Sequence, residues 1–125
     1  MPERCIISPL AKTWVLDLDG TVVKHNGYKL DGRDSLLSGA KEFFQRLPSE
    51  DMVVFLTSRP PELAEMTEAF LHENGLRFDA ILYGAPYGER ILINDRKPSG
   101  LKTAIAINTR RNRFPDTEFV VDEKL

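Results

Sequence analysis

The chain has 125 residues, 42% of them hydrophobic and 29% charged, with a formal net charge of -2. Such a chain supports one folded domain over residues 1–125 with its own core, and its composition excludes a disordered tail. The near-neutral charge offers no overall field for nucleic acid or an anionic membrane. A single cysteine, Cys5, excludes a disulfide or a multi-cysteine zinc site within these residues and fits a reducing compartment.

Residues 1–9 lack the apolar stretch of a signal peptide, and no segment approaches the roughly 20 apolar residues of a membrane span. The expected location is the cytoplasm. Thr13-Trp14-Val15-Leu16-Asp17-Leu18 is a short apolar run that ends in acidic residues and Gly20, the pattern of a buried strand. Residues 25–33 are polar and carry two turn signals, Asn26-Gly27 and Asp31-Gly32, which predict a small β-hairpin. Ser38 reads as the N-cap of a helix, with Ala40, Phe43, Phe44 and Leu47 at helical spacing and Pro48 as its end.

Met52-Val53-Val54-Phe55-Leu56 predicts a second buried strand, ending at Thr57-Ser58-Arg59. Pro60 and Pro61 suit the start of a helix whose apolar stripe is Leu63, Met66, Phe70 and Leu71, closed by Asn74-Gly75. Three further strands are expected: Ala80-Ile81-Leu82-Tyr83, Ile91-Leu92-Ile93 ending at Asn94-Asp95, and Thr103-Ala104-Ile105-Ala106-Ile107. Strands alternating with helices argue for an α/β fold with a central parallel sheet flanked by helices. Only about seven residues, 84–90, separate the third and fourth of these strands, where a crossover helix needs ten or more. That link is therefore extended or irregular, or one of the two strands is absent.

Ligands of such sheets bind beyond the carboxyl ends of the strands, where Asp17 to Asp19, Thr57 to Arg59 and Asn94-Asp95 would converge. Alternation along an extended backbone sends Asp17 and Asp19 to one side and Leu18 to the other. Paired carboxylates repel and need a cation or a shared proton, which a magnesium ion with its preference for oxygen ligands would satisfy.

Asp17-Leu18-Asp19-Gly20-Thr21 resembles the first motif of the haloacid-dehalogenase superfamily. Phe55-Leu56-Thr57-Ser58-Arg59 is similar to its second motif, and Leu92-Ile93-Asn94-Asp95 to its fourth, in the family's order. The resemblance implies a Rossmann-like fold with a hairpin flap and no cap domain, and a magnesium-dependent phosphatase. Asp17 would attack phosphorus to form an aspartyl-phosphate, and Asp19 would act as general acid and then general base. Asp17, Asp19 through its backbone carbonyl, and Asp95 would hold the magnesium ion, and Thr57 would donate to the phosphoryl oxygens. Ser58 and Arg59 would be substrate contacts, Arg59 holding a carboxylate or hydroxyl unless it serves as a salt bridge at the helix start.

The family's third motif is a lysine, often in a Gly-Lys-Pro segment; here Gly84-Ala85-Pro86 has alanine in its place. Lys97 is the preferred substitute, followed by Arg96 and then Arg90, which a strand start would put at the far end. Asn94-Asp95-Arg96-Lys97-Pro98 and the missing cap look like small phosphatases of bacterial polysaccharide and sugar-nucleotide pathways. They imply a phosphorylated sugar or polyol as substrate, and a dimer or tetramer that shields an open site. A phosphorylated macromolecule and a non-catalytic phosphate- or metal-binding module are the alternatives. The Arg110-Arg111-Asn112-Arg113 run would bind an anion or form a solvated face.

Overall fold

The structure is a computed structural model that describes residues 3–125. Three short apolar runs, β2 (Thr13–Leu16), β3 (Met52–Leu56) and β4 (Ala80–Leu82), form a parallel sheet in the order β2-β3-β4. Their register sets Leu16 beside Phe55 and Phe55 beside Ile81. Within β3 the period-two alternation of a strand shows directly, since Val53 and Phe55 are buried while their neighbours are less so. A second, two-stranded parallel sheet pairs β1 (Arg4–Ile7) with β5 (Glu118–Val121).

Buried and half-exposed carboxylates fix the starts of the strands by accepting backbone hydrogen bonds that would otherwise be lost. Asp51 accepts from the Lys12 backbone N–H at 3.0 Å and from the Trp14 indole Nε1–H at 2.9 Å. Asp79 accepts from the Val53 N–H at 2.7 Å.

Helix α2 (Ala40–Arg46) places an apolar face against both sheets. Phe44 stacks on Phe55 at 5.7 Å between ring centroids, and Phe43 meets Trp14 edge-on at 5.3 Å. Trp14 in turn lies 4.9 Å from Phe119 of β5, so an aromatic chain joins the two sheets through α2. A 3-10 turn, Pro61–Leu63, leads into α3 (Ala64–Glu73), which buries Thr67 and Leu71 and ends at Asn74 and Gly75. Leu18, Val22, Val23, Ala40, Phe44, Val53, Phe55, Leu71 and Leu76 form the core. No helix among the described residues is long and apolar enough to cross a membrane.

The α/β class with parallel sheets and the positions of the strands at 13–16, 52–56 and 80–82 agree with the sequence reading, but β2 is not the buried strand expected, since Val15 is 56% exposed. Four further local expectations are corrected. Residues 25–33 form no hairpin but a single helical turn, α1 (Gly27–Leu30). A two-residue type I′ loop needs positive φ at both central residues, and only Asn26 has it, at 56°. The Asn26 carbonyl instead accepts from the Lys29 and Leu30 N–H groups, and the segment's ends meet through the Val23–Leu36 bridge. Helix α2 starts from Gly39 at φ 93°, without a side-chain cap from Ser38.

Neither 91–93 nor 103–107 is a strand. Ile91 and Ile93 are 81% and 90% exposed, because so short a link from β4 cannot carry the chain back for parallel pairing. The remaining strands, β1 and β5, form a separate parallel pair that the sequence reading did not anticipate.

Candidate active site

The chain leaves β2 at Leu16 and turns sharply within four residues. The Leu18 carbonyl accepts from the N–H groups of Thr21, Val22 and Val23 at 3.2, 2.9 and 3.1 Å, and the Leu18 side chain is buried in the core. Gly20, at φ 84°, takes the left-handed conformation that this turn requires. Asp17 and Asp19 are therefore delivered to one side and line an open cleft of about 290 Å³.

Asp17 is held from both oxygens. The Thr21 hydroxyl donates to Oδ2 at 3.1 Å, and Arg90 NH1 donates to Oδ1 at 3.2 Å. Arg90 NH2 also reaches the Ser58 hydroxyl at 3.4 Å. The link after β4 makes this reach possible. The Gly84 N–H donates to the Arg59 carbonyl at 2.8 Å and the Ala85 N–H to the Thr57 carbonyl at 3.0 Å. The link is thereby tied to the end of β3, and its continuation brings Tyr87, Gly88 and Arg90 to the cleft.

Asp19 is gripped by Arg59, whose Nε donates to Oδ2 and whose NH2 donates to Oδ1, each at 2.9 Å. The same guanidinium donates to both oxygens of Asp34, at 3.0 and 2.7 Å, and to the Thr67 hydroxyl at 2.9 Å. The Tyr28 ring lies 4.5 Å from its central carbon, in cation–π range. Burial alone would lower the proton affinity of this guanidinium. The hydrogen bonds that it donates to Asp19 and Asp34, and the charges of those carboxylates, raise its pKa above the ordinary value instead. Arg59 is thus the buried centre of an ion network that fixes Asp19, and the salt-bridge reading of it holds.

The expected site residues divide into three groups. Asp17, Asp19, Ser58 and Arg59 line the cleft together. Thr57 is buried behind it, and its hydroxyl accepts from the Arg59 N–H at 3.1 Å. Asp95 and Lys97 are exposed and lie outside the cleft lining. The Asp95 carbonyl accepts from the Thr103 hydroxyl at 2.6 Å, and Lys97 closes a backbone turn with Gly100 and Leu101. Of the candidate substitutes for the third-motif lysine, Arg90 contacts Asp17 and Lys97 lies outside the cleft lining. The far-end position expected for Arg90 followed from a strand that does not form.

Asp34, Thr67, Tyr28 and Thr21 complete the site, and for the first three no spacing signal sets them apart. Thr21 alone belonged to a recognisable motif. A partner for Arg59 was foreseeable only in the general sense that a buried guanidinium needs carboxylates.

The donor set does not fit the magnesium site that the resemblance implies. Both Asp17 side-chain oxygens already accept hydrogen bonds, and Asp95 lies outside the cleft lining. Among the described residues, no three His, Cys, Asp or Glu side chains are grouped to hold a metal ion. Cationic side chains dominate the cleft instead: Lys29, Arg59, Arg90 and Arg111 line it beside Asp17 and Asp19. That surplus favours an anionic ligand. No family model, curated protein or solved structure matches this chain.

Proposed function

We propose that this chain is a phosphomonoester hydrolase of the haloacid-dehalogenase kind, with Asp17 as its nucleophile. The single observation that carries the reading is Asp17 itself: a carboxylate at the end of a parallel strand, oriented by Thr21 and Arg90, in an open cation-rich cleft. The motif resemblance around Asp17, Asp19 and Thr57 supports the same reading, with the Rossmann-like topology it implies and β2 as the strand that carries the nucleophile.

In this account Asp17 attacks phosphorus and the bond to the substrate oxygen breaks. Asp19 supplies the proton to the departing alcohol, then takes one from the water that cleaves the aspartyl-phosphate and restores Asp17. Arg90 stabilises the charge of the phosphoryl group in transit, the part first given to Lys97. The substrate is a small phosphorylated sugar or polyol, and a dimer or tetramer would shield the cleft.

A second reading, a phosphate-binding module without turnover, draws on the Arg59 grip on Asp19, which occupies both oxygens of the acid/base residue. Phosphate release from a panel of sugar, polyol and nucleotide phosphates, with magnesium or with chelator, separates the two. The enzyme reading expects release that Asp17→Asn abolishes, and the chelator arm reads whether a cation completes the acidic pair. Phosphate binding with no release from any compound favours the module.

A further inference from the structure

One wall of the cleft comes from a segment distant in sequence from Asp17. Asn112 takes a left-handed backbone conformation, φ 64°, and its N–H donates to the Gly20 carbonyl at 2.8 Å. Its side-chain Oδ1 accepts from the His25 N–H at 2.7 Å. The loop is thus fastened to the turn that immediately follows Asp19. Arg111 lies so close to Gly20 that a Cβ there would come within 3.3 Å of its Cγ. Glycine at position 20 therefore serves the turn and also leaves room for the arginine stem.

The cations of the cleft differ in what they face. Arg59 is committed to Asp19 and Asp34, and Arg90 to Asp17. Lys29 and Arg111 line the same cleft, and among the described residues neither takes part in a salt bridge. One phosphoryl group beside Asp17 and Arg90 leaves these two charges over. Both residues are exposed, so each charge stays solvated and is open to a second anion on the ligand without giving up a protein counter-charge.

We propose that Arg111, with Lys29, selects substrates whose alcohol portion carries a carboxylate: the phosphate ester of a short hydroxy acid. This inference rests on the phosphatase reading and narrows its substrate class from neutral sugar and polyol phosphates. The planar guanidinium offers parallel N–H donors that match a carboxylate. A cleft of about 290 Å³ suits a compound of a few carbons. Asn112 is a positioning residue, since it holds the loop and does not line the cleft.

The test compares 3-phosphoglycerate with glycerol 3-phosphate, which share a carbon chain and differ by a carboxylate in place of a hydroxymethyl group. Wild type is expected to favour the carboxylate compound in kcat/KM. Arg111→Gln is expected to shrink that preference by about tenfold, and Arg111→Lys to keep part of it. Equilibrium binding of both compounds to Asp17→Asn and to Asp17→Asn/Arg111→Gln reads the same preference without turnover. Equal handling of the two compounds by wild type, or a preference that survives Arg111→Gln, overturns the proposal. No hydrolysis of either compound, with an Arg111-dependent binding preference intact, leaves the carboxylate wall standing and removes the phosphatase reading alone.

Discussion

Arg59 holds Asp19 by both carboxylate oxygens at 2.9 Å while its other edge holds Asp34. The arrangement links the site to the stability of the fold, because the Asp34 side chain is only 3% exposed and has no water to replace a lost partner.

Replacing Arg59 with methionine is therefore expected to destabilise the protein by about 3–5 kcal/mol, since it strands a buried carboxylate. Urea unfolding measures it. Adding Asp34→Leu should recover part of the loss, because the isolated charge is then gone. A loss under about 1 kcal/mol for the single variant would show that the network is not what holds this region.

Arg90 and Lys97 offer a sharp kinetic comparison. Arg90 donates to Asp17 at 3.2 Å, whereas Lys97 belongs to an exposed turn. Arg90→Ala is expected to lower kcat by about 100-fold, as removal of one donor to a developing oxyanion does. The loss in Lys97→Ala should be smaller by at least about tenfold. The pair Arg90–Asp17 is over a third exposed on both sides, so the stability change in Arg90→Ala should stay within about 1 kcal/mol. The reverse order of kinetic losses would return the role to Lys97.

Much of the parallel sheet was readable because β2 and β3 are apolar runs bounded by acids and turn residues, a local signal. Asp17 and Asp19 were readable for the same reason, since alternation about Leu18 fixes their common side. The rest depended on which edges lie within reach. Ile91-Leu92-Ile93 has the composition of a strand, but the short link after β4 denies it a parallel partner. The pairing of β1 with β5 joins segments more than a hundred residues apart, and neither end hints at the other. Arg59 was visible as a charged residue near the site, but its union with Asp34 and Thr67 is a tertiary contact that no spacing encodes. Asn26-Gly27 misled because the dipeptide serves a helical turn as readily as a hairpin.

Tyr83 gives the fold an alkaline limb. Its hydroxyl donates to Glu68 Oε2 at 2.9 Å, and burial, with that hydrogen bond and the glutamate charge, raises its pKa above the ordinary value of 10.0. Between those two values the unfolded chain binds fewer protons than the folded one, so stability falls as pH rises. The contribution is fully present below pH 10.0 and is lost as pH climbs through the raised value. Denaturant midpoints measured from pH 8 to 11 should decline at the upper end, and Tyr83→Phe should flatten that decline. An unaltered slope in Tyr83→Phe would assign the limb to other groups.

The central claim is that Asp17 carries the phosphoryl group. The direct measurement is rapid acid quench of the wild-type protein during turnover of a phosphomonoester, followed by peptide mass spectrometry. The account predicts a phosphoryl adduct on the peptide that contains Asp17, absent in Asp17→Asn. Steady phosphate release with no adduct at any quench time, or an adduct that persists in Asp17→Asn, would contradict it.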